Sequence, residues 1–534
     1  MNEDGTPIIG ATVRVKATEL ETLTDSEGRF VLSGVPTDSL VFVTAWASGY
    51  TINGVADVAP GAAGVEIVLK KHTEVDHPYY EWMSAFASAG GEGNCENCHS
   101  ALTPDSSPQS WRGESLPFDE WKLDAHALSA QNSRFLTMYL GTDMDGNQSP
   151  PTRYGYSREY GRFPLRPDLS QPYYGPGYKL DFPNTSGNCA ACHLPAAAID
   201  NAYGIDPAKA AGVEKEGVAC DFCHKVWDVR LASNGLPQPN MPGVLSFEFR
   251  RPPEGHQFFA GPFDDVAPGE DTYSPLQQQS RFCAPCHFGM FWDTTIYNSF
   301  GEWLESPYSA EDGKTCQDCH MPHLGATYFA LPDKGAAERD PQTIFSHRMP
   351  GASDETLLQN AVTMTVHASR EGEQIIVDVT IVNDKTGHHI PTDSPLRQMI
   401  LLVEARDGQG QPLVLQSGPT VPKWGGVPKD EVGRTKDDGY YAGLPGKGFA
   451  KILMELWTEI TPTGAYWNPT RVISDNRLPA FGSDTSTFVF TASSAGEVKI
   501  DVRLLFRRSF IDLIDQKGWA STDILMEQAT IRIP

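Results

Sequence analysis

The sequence predicts a multidomain protein in which two β-sandwich domains flank a mostly irregular, partly helical core. Three observations predict it. Short alternating or β-branched runs between turn residues occupy 1–71 and 358–534. The stretch 72–357 is rich in Gly, Pro, Asn and aromatic residues and has few periodic segments. All ten cysteines of the 534-residue chain fall inside that stretch. A chain of this length accommodates two to four domains.

The elements follow in order. Ala11–Val15 alternates as Ala-Thr-Val-Arg-Val, Phe30–Leu32 follows the turn Ser26-Glu27-Gly28, and Leu40–Ala45 and Val65–Leu69 follow further turn residues. In the middle stretch the pattern predicts helices over Phe118–Tyr139 and Asp206–Lys215. Strand texture returns at Ala361–His367, Ile375–Val382, Met399–Ala405, Thr487–Phe490 and Val498–Phe506, with loops around Trp424–Asp438. The seam before this second sandwich is expected at Leu331–Asp340 or Met349–Thr356.

The cysteines carry the chemistry. They form five pairs, each with two residues between its members and a histidine directly after. The motifs are Cys95/Cys98/His99, Cys189/Cys192/His193, Cys220/Cys223/His224, Cys283/Cys286/His287 and Cys316/Cys319/His320. C-x-x-C-H is the attachment signature of c-type haem. Two thiols three positions apart lie on one side of a helical turn and can add across the vinyl groups of one porphyrin, while the histidine ligates its iron. Zinc would need paired half-sites, and five is odd. Disulfides would not require the histidines. Five haem c groups are therefore expected, and they explain the weak apolar patterning, because porphyrins replace much of the side-chain core. The predicted core is a haem-packed, mostly irregular and α-helical multihaem cytochrome core. Twenty-six residues separate the second motif from the third and 28 the fourth from the fifth. This spacing reads as one single haem and two close pairs.

The sixth iron position separates a carrier from an enzyme. A second histidine there saturates the iron, whereas an open position can bind a small substrate. Nine histidines lie outside the motifs: His72, His77, His126, His256, His323, His347, His367, His388 and His389. Five are needed for complete bis-histidine ligation. His77, in VDHPYYEW, is a candidate ligand, and His367 alternates with apolar strand residues and reads as structural. His323 lies three residues past its own motif histidine and could reach only another haem. Asp143-Met144-Asp145-Gly146-Asn147 looks like half a calcium loop without its distal glutamate, and reads as a solvated turn.

Two resemblances add to this. DGTPIIGATVRV, TDSEGRFVLSGVP and VTAWASGY resemble the carboxypeptidase regulatory-like family, which implies a small transthyretin-like sandwich over 1–71. In that family one more strand usually precedes the DG turn. FDEWKLDAHALSAQN, EGHQFFAGPFDD and FSHRMPG resemble distal-ligand contexts of the tetrahaem cytochrome c family of ammonia oxidisers and its multihaem relatives, extracellular cytochrome filament subunits among them. The resemblance implies His256 as distal ligand of the first haem, His126 of the fourth and His347 of the third. The fifth motif has no counterpart in a tetrahaem pattern. NDKTGHHIPTDSPLR resembles a segment of the C-terminal β-domain of multihaem cytochromes, which implies His388 or His389 as a further ligand.

Net charge is −26, which excludes a nucleic-acid partner, and no apolar run reaches the length of a transmembrane segment. No Gly-rich nucleotide loop follows a strand. The sequence thus predicts electron transfer with redox partner proteins or extracellular acceptors, either as a subunit of a homopolymeric filament or as a monomeric or partner-docked carrier. The competing readings are a multihaem oxidoreductase with one open haem acting on a small nitrogen or sulfur compound, and a surface adhesion protein. Maturation of c-type haem outside the cytoplasm places the protein in the periplasm or outside the cell. Met1 begins no signal peptide, so the natural leader is expected to be missing from this sequence.

Overall fold

In the N-terminal region the alternation of Ala11–Val15 sends Val13 and Val15 inward on strand Thr12–Val15. This strand pairs antiparallel with Glu21–Leu23 on one side and Val41–Trp46 on the other, and Asn53–Val58 completes a four-stranded sheet. The computed structural model describes residues 1–90, 93–101, 114–266, 269–310, 313–492, 496–520 and 522–534. The expected sandwich over 1–71 is a single sheet. Phe30, Leu32, Ile67 and Leu69 do pack against its core, but their segments form no strands. Around Leu69 the backbone bonds to Met1 and makes one bridge to Asn2 instead of a ladder.

The described residues form two compact units. One comprises 1–131, 187–286 and 315–349, the other 132–186, 287–314 and 350–534. The middle stretch 72–357 is thus divided between them, where the sequence pattern predicts consecutive domains. Of the two expected seams, Met349–Thr356 contains a boundary of the units and Leu331–Asp340 contains none.

The two expected helices are broken into shorter pieces. Phe118–Tyr139 contains a helix at Pro117–Trp121, a 3-10 turn at Ser129–Gln131 and a helix at Ser133–Leu140. Asp124 stops the first by accepting the His126 backbone N–H, and Asn132 caps the last through the N–H groups of Arg134 and Phe135. Asp206–Lys215 becomes two 3-10 turns, Pro207–Lys209 and Gly212–Glu216, the second opening on Gly212 at φ +53°.

In the second unit two sheets share one core. Thr363–Glu371, Gln374–Val382, Ser483–Thr491 and Val414–Ser417 form the first, in that order. Thr470–Asp475, Gly446–Glu455, Gln398–Arg406, Val498–Arg507 and Ile524–Ile533 form the second. Val377, Val379, Ile381, Phe488 and Phe490 of the first sheet meet Met399, Leu401, Val403, Ile500, Val502 and Leu504 of the second, all buried. Every C-terminal strand expected from the sequence is present. No helix among the described residues is long and apolar enough to cross a membrane.

Candidate functional site

Four of the five C-x-x-C-H motifs are wound into short helices: Cys95–His99, Ala190–His193, Cys220–Cys223 and Cys316–His320. The fourth motif is a run of turns after the 3-10 helix Ser280–Phe282. All ten cysteines are half-buried, and none is in a disulfide. A hydrogen bond to Cys95 and burial together push the Cys220 thiol well up. Cys316 acts in the same way on Cys283, and Cys192 on Cys286. The Cys223 thiol also acts electrostatically on Cys283 and Cys286. The first motif therefore adjoins the third, and the fourth adjoins the second, third and fifth. Motifs spread over 222 positions of sequence, from Cys95 to Cys316 for their first thiols, are gathered into one connected group.

The motif histidines His99, His193, His224 and His287 are held at one nitrogen. Nδ1 of His99 donates to the Phe329 carbonyl at 2.7 Å, that of His224 to Ala260 at 2.8 Å and that of His193 to Ser129 at 3.3 Å. His287 Nδ1 lies 3.4 Å from Asp393, and although burial opposes it, this hydrogen bond holds the Asp393 carboxyl well below the usual range. Burial lowers His99 and His224 and pushes His193 down to about 4, keeping these imidazoles neutral. A neutral imidazole tethered at Nδ1 presents the Nε2 lone pair, the form in which histidine ligates a metal.

The same tether appears on most of the candidate distal ligands. Nδ1 of His126 bonds Asp124 at 2.6 Å and that of His256 bonds Glu270 at 2.9 Å. Nδ1 of His347 donates to Phe345 at 3.2 Å, and that of His388 to His389 at 2.8 Å. His77 differs, because its ring makes no hydrogen bond among the described residues; its backbone N–H donates to the Arg251 carbonyl and its own carbonyl accepts from Tyr80. His323, which sequence spacing disfavours, carries the tether to Ile344 at 3.0 Å. No sequence signal marks it, since the acceptor lies 21 residues downstream.

The remaining histidines are less suited. His72 also carries the tether, Nδ1 to the Thr73 carbonyl at 2.8 Å, but its ring is buried between those of Trp227 and Phe258, at 4.9 and 5.3 Å, with Nε2 enclosed and unpartnered. His389 sits beside Glu302 without a tether at Nδ1. His367 is exposed on its strand. The Asp143–Asn147 turn satisfies itself, as Asp143 accepts from Asp145 and Asn147. Among the described residues no three His, Cys, Asp or Glu side chains converge to hold a bare metal ion.

A crystal structure of a penta-heme cytochrome c552 from Thermochromatium tepidum matches with a TM-score of 0.50 at 18% identity, covering 78% of this chain and 96% of that one. Over that span the fold of this chain is similar to that of the penta-heme cytochrome. Two further solved structures match only weakly. They are the Fcho1 Mu homology domain of Danio rerio with bound Eps15 peptide (TM-score 0.13, 10% identity, 28% of this chain and 39% of that one) and the ASH/PapD-like domain of human CEP192 (0.12, 8%, 33% and 82%). Neither bears on the fold. No protein-family model and no curated protein matches this sequence. The donor set fits haem c: each motif supplies two thiols outside any disulfide and one histidine, and His99, His193, His224 and His287 are tethered at Nδ1.

Proposed function

We propose that this protein carries electrons outside the cytoplasm through five covalently attached c-type haems, one on each motif. The observation that supports this most is the gathering of the five motifs, with thiols of different motifs in hydrogen-bond contact. Haem iron supplies the one-electron ferric–ferrous chemistry, and the protein supplies attachment, ligands, spacing and burial. Cys95, Cys98, Cys189, Cys192, Cys220, Cys223, Cys283, Cys286, Cys316 and Cys319 hold the porphyrins. His99, His193, His224, His287 and His320 are the proximal ligands. His126, His256, His347 and His388 take the distal faces of four haems, and His77 or His323 takes the fifth. Intact mass of the matured protein should exceed the polypeptide by five haem masses. Four or fewer in undamaged protein defeats the reading.

The untethered ring of His77 supports a second reading, in which one haem stays open as an oxidoreductase site for a small nitrogen or sulfur compound. A high-spin ferric signal in the resting protein would favour it, and a fully low-spin spectrum would exclude it.

We further propose assembly into a homopolymeric filament. Strand Glu21–Leu23 is an exposed edge of its sheet, with Leu23 63% exposed, and an unpaired edge offers backbone groups to a strand from a neighbour. Negative-stain microscopy at high concentration should show filaments, and monodisperse particles would end this part of the proposal.

A further inference from the structure

Lys225 directly follows His224 of the third motif, and its side chain is fully buried. Its ammonium lies 2.5 Å from Asp221, the residue after Cys220, whose side chain is 1% exposed. The second Asp221 oxygen accepts the Tyr80 hydroxyl and the Met83 backbone N–H, both at 2.9 Å. The ammonium stands 3.8 Å from the centre of the Phe259 ring and 5.2 Å from that of Tyr80. A fixed cation and a fixed anion are thus built into and beside the five residues that would hold one haem.

Stability is a poor explanation for the pair. Taking two charges out of water costs about as much as their attraction returns, and apolar side chains of similar volume hold a core as well or better. Apolar packing is also at hand, since Phe222 lies against both Phe247 and Phe249. What a buried charge does beside a haem is bias its iron. The ferric state carries one more positive charge than the ferrous state, so a nearby anion favours ferric and a nearby cation favours ferrous.

We infer that Lys225 and Asp221 tune the reduction potential of the haem on the third motif by offsetting one another. They are positioning residues that act through their field and touch no reacting atom. The inference rests on the proposed haem attachment at Cys220 and Cys223, and the experiment separates the two.

The test is a potentiometric titration of the matured protein, followed by visible absorbance, with intact mass as the control for haem content. Lys225→Met leaves the anion and should lower one of five components. Asp221→Asn leaves the cation and should raise one. Each shift should equal about a tenfold change in the ferrous-to-ferric ratio at fixed potential, or about 59 mV for one electron. The double variant should return towards the wild-type titration, and Lys225→Arg should leave it in place. If Lys225→Met fails to mature, Asp221→Asn decides alone. No shift in Asp221→Asn, or shifts of one sign in both single variants, overturns the inference. A wild-type mass short of five haems instead overturns the attachment reading on which it stands.

Discussion

The carbonyl oxygen of Phe329 accepts the Nδ1–H of His99 at 2.7 Å, across 230 positions of sequence. That acceptor is itself fixed. The Phe329 ring stacks on Phe263, and the guanidinium of Arg339 lies 4.2 Å from the centre of Phe263 and 5.4 Å from that of Phe329. Arg339 makes a two-point pair with Asp265, at 2.6 and 3.2 Å, and Asp265 also accepts the Ala17 N–H. A buried ion pair therefore orients the first motif's histidine through a backbone carbonyl.

Arg339→Met should expose this dependence. It leaves Asp265 buried with only a backbone donor, which costs about 3–5 kcal/mol when one partner of a buried pair is removed. Urea unfolding followed by circular dichroism measures the loss. Arg339→Lys keeps the charge without the planar fork and should recover only part of it. A midpoint unchanged in both variants would dissociate the pair from the fold.

Lys517 gives the pH dependence. Its ammonium is fully buried and donates to the carbonyls of Pro176, Thr142 and Thr137 at 2.6, 2.9 and 3.0 Å. Burial pushes its pKa down to about 7. Between there and the ordinary lysine value, the unfolded chain holds a proton that the folded chain has released, so stability rises with pH across that window. Below about pH 7 both states are protonated and the cost of burying the charge is present in full. The rise from pH 7 to 10 should be on the order of 3 kcal/mol. Lys517→Met should flatten it, and equal slopes in the two proteins would refute the assignment.

Gly448 shows what the sequence could and could not convey. The strands Gln374–Val382, Gln398–Arg406 and Val498–Arg507 announce themselves through β-branched and apolar runs. Strand Gly446–Glu455 does not, because its glycines and lysines read as a break. The structure explains them. A Cβ on Gly448 would stand 2.1 Å from the Trp424 ring, which covers the strand there. Lys451 is buried and donates to the Thr295 carbonyl at 2.5 Å. Gly448→Ala should cost about 1–3 kcal/mol through displacement of that ring, read from the thermal midpoint and Trp fluorescence. The motif thiols stand out in the sequence because their spacing is local. The tethers on the histidines do not, since their acceptors, such as Phe329 for His99 and Ser129 for His193, come from remote segments.

Two adjoining carbonyls, those of Ile344 and Phe345, receive the Nδ1–H groups of His323 and His347. The Phe345 ring also lies 4.4 Å from that of His323, so one dipeptide orients two imidazoles. The His347 backbone N–H is held in turn by buried Glu120 at 2.6 Å, and burial pushes this imidazole down to about 4. Both rings are half-buried with Nε2 directed away from the tether, while His77 lacks any such bond. On this geometry His347→Ala and His323→Ala should each convert one haem from low spin to high spin, and His77→Ala should convert none. Ligand loss should also raise the potential of the affected haem, because a strong neutral donor to ferric iron is removed. EPR of the oxidised protein reads the spin state, and intact mass confirms that five haems remain attached. High-spin conversion in His77→Ala and none in His323→Ala would return the fifth distal position to His77.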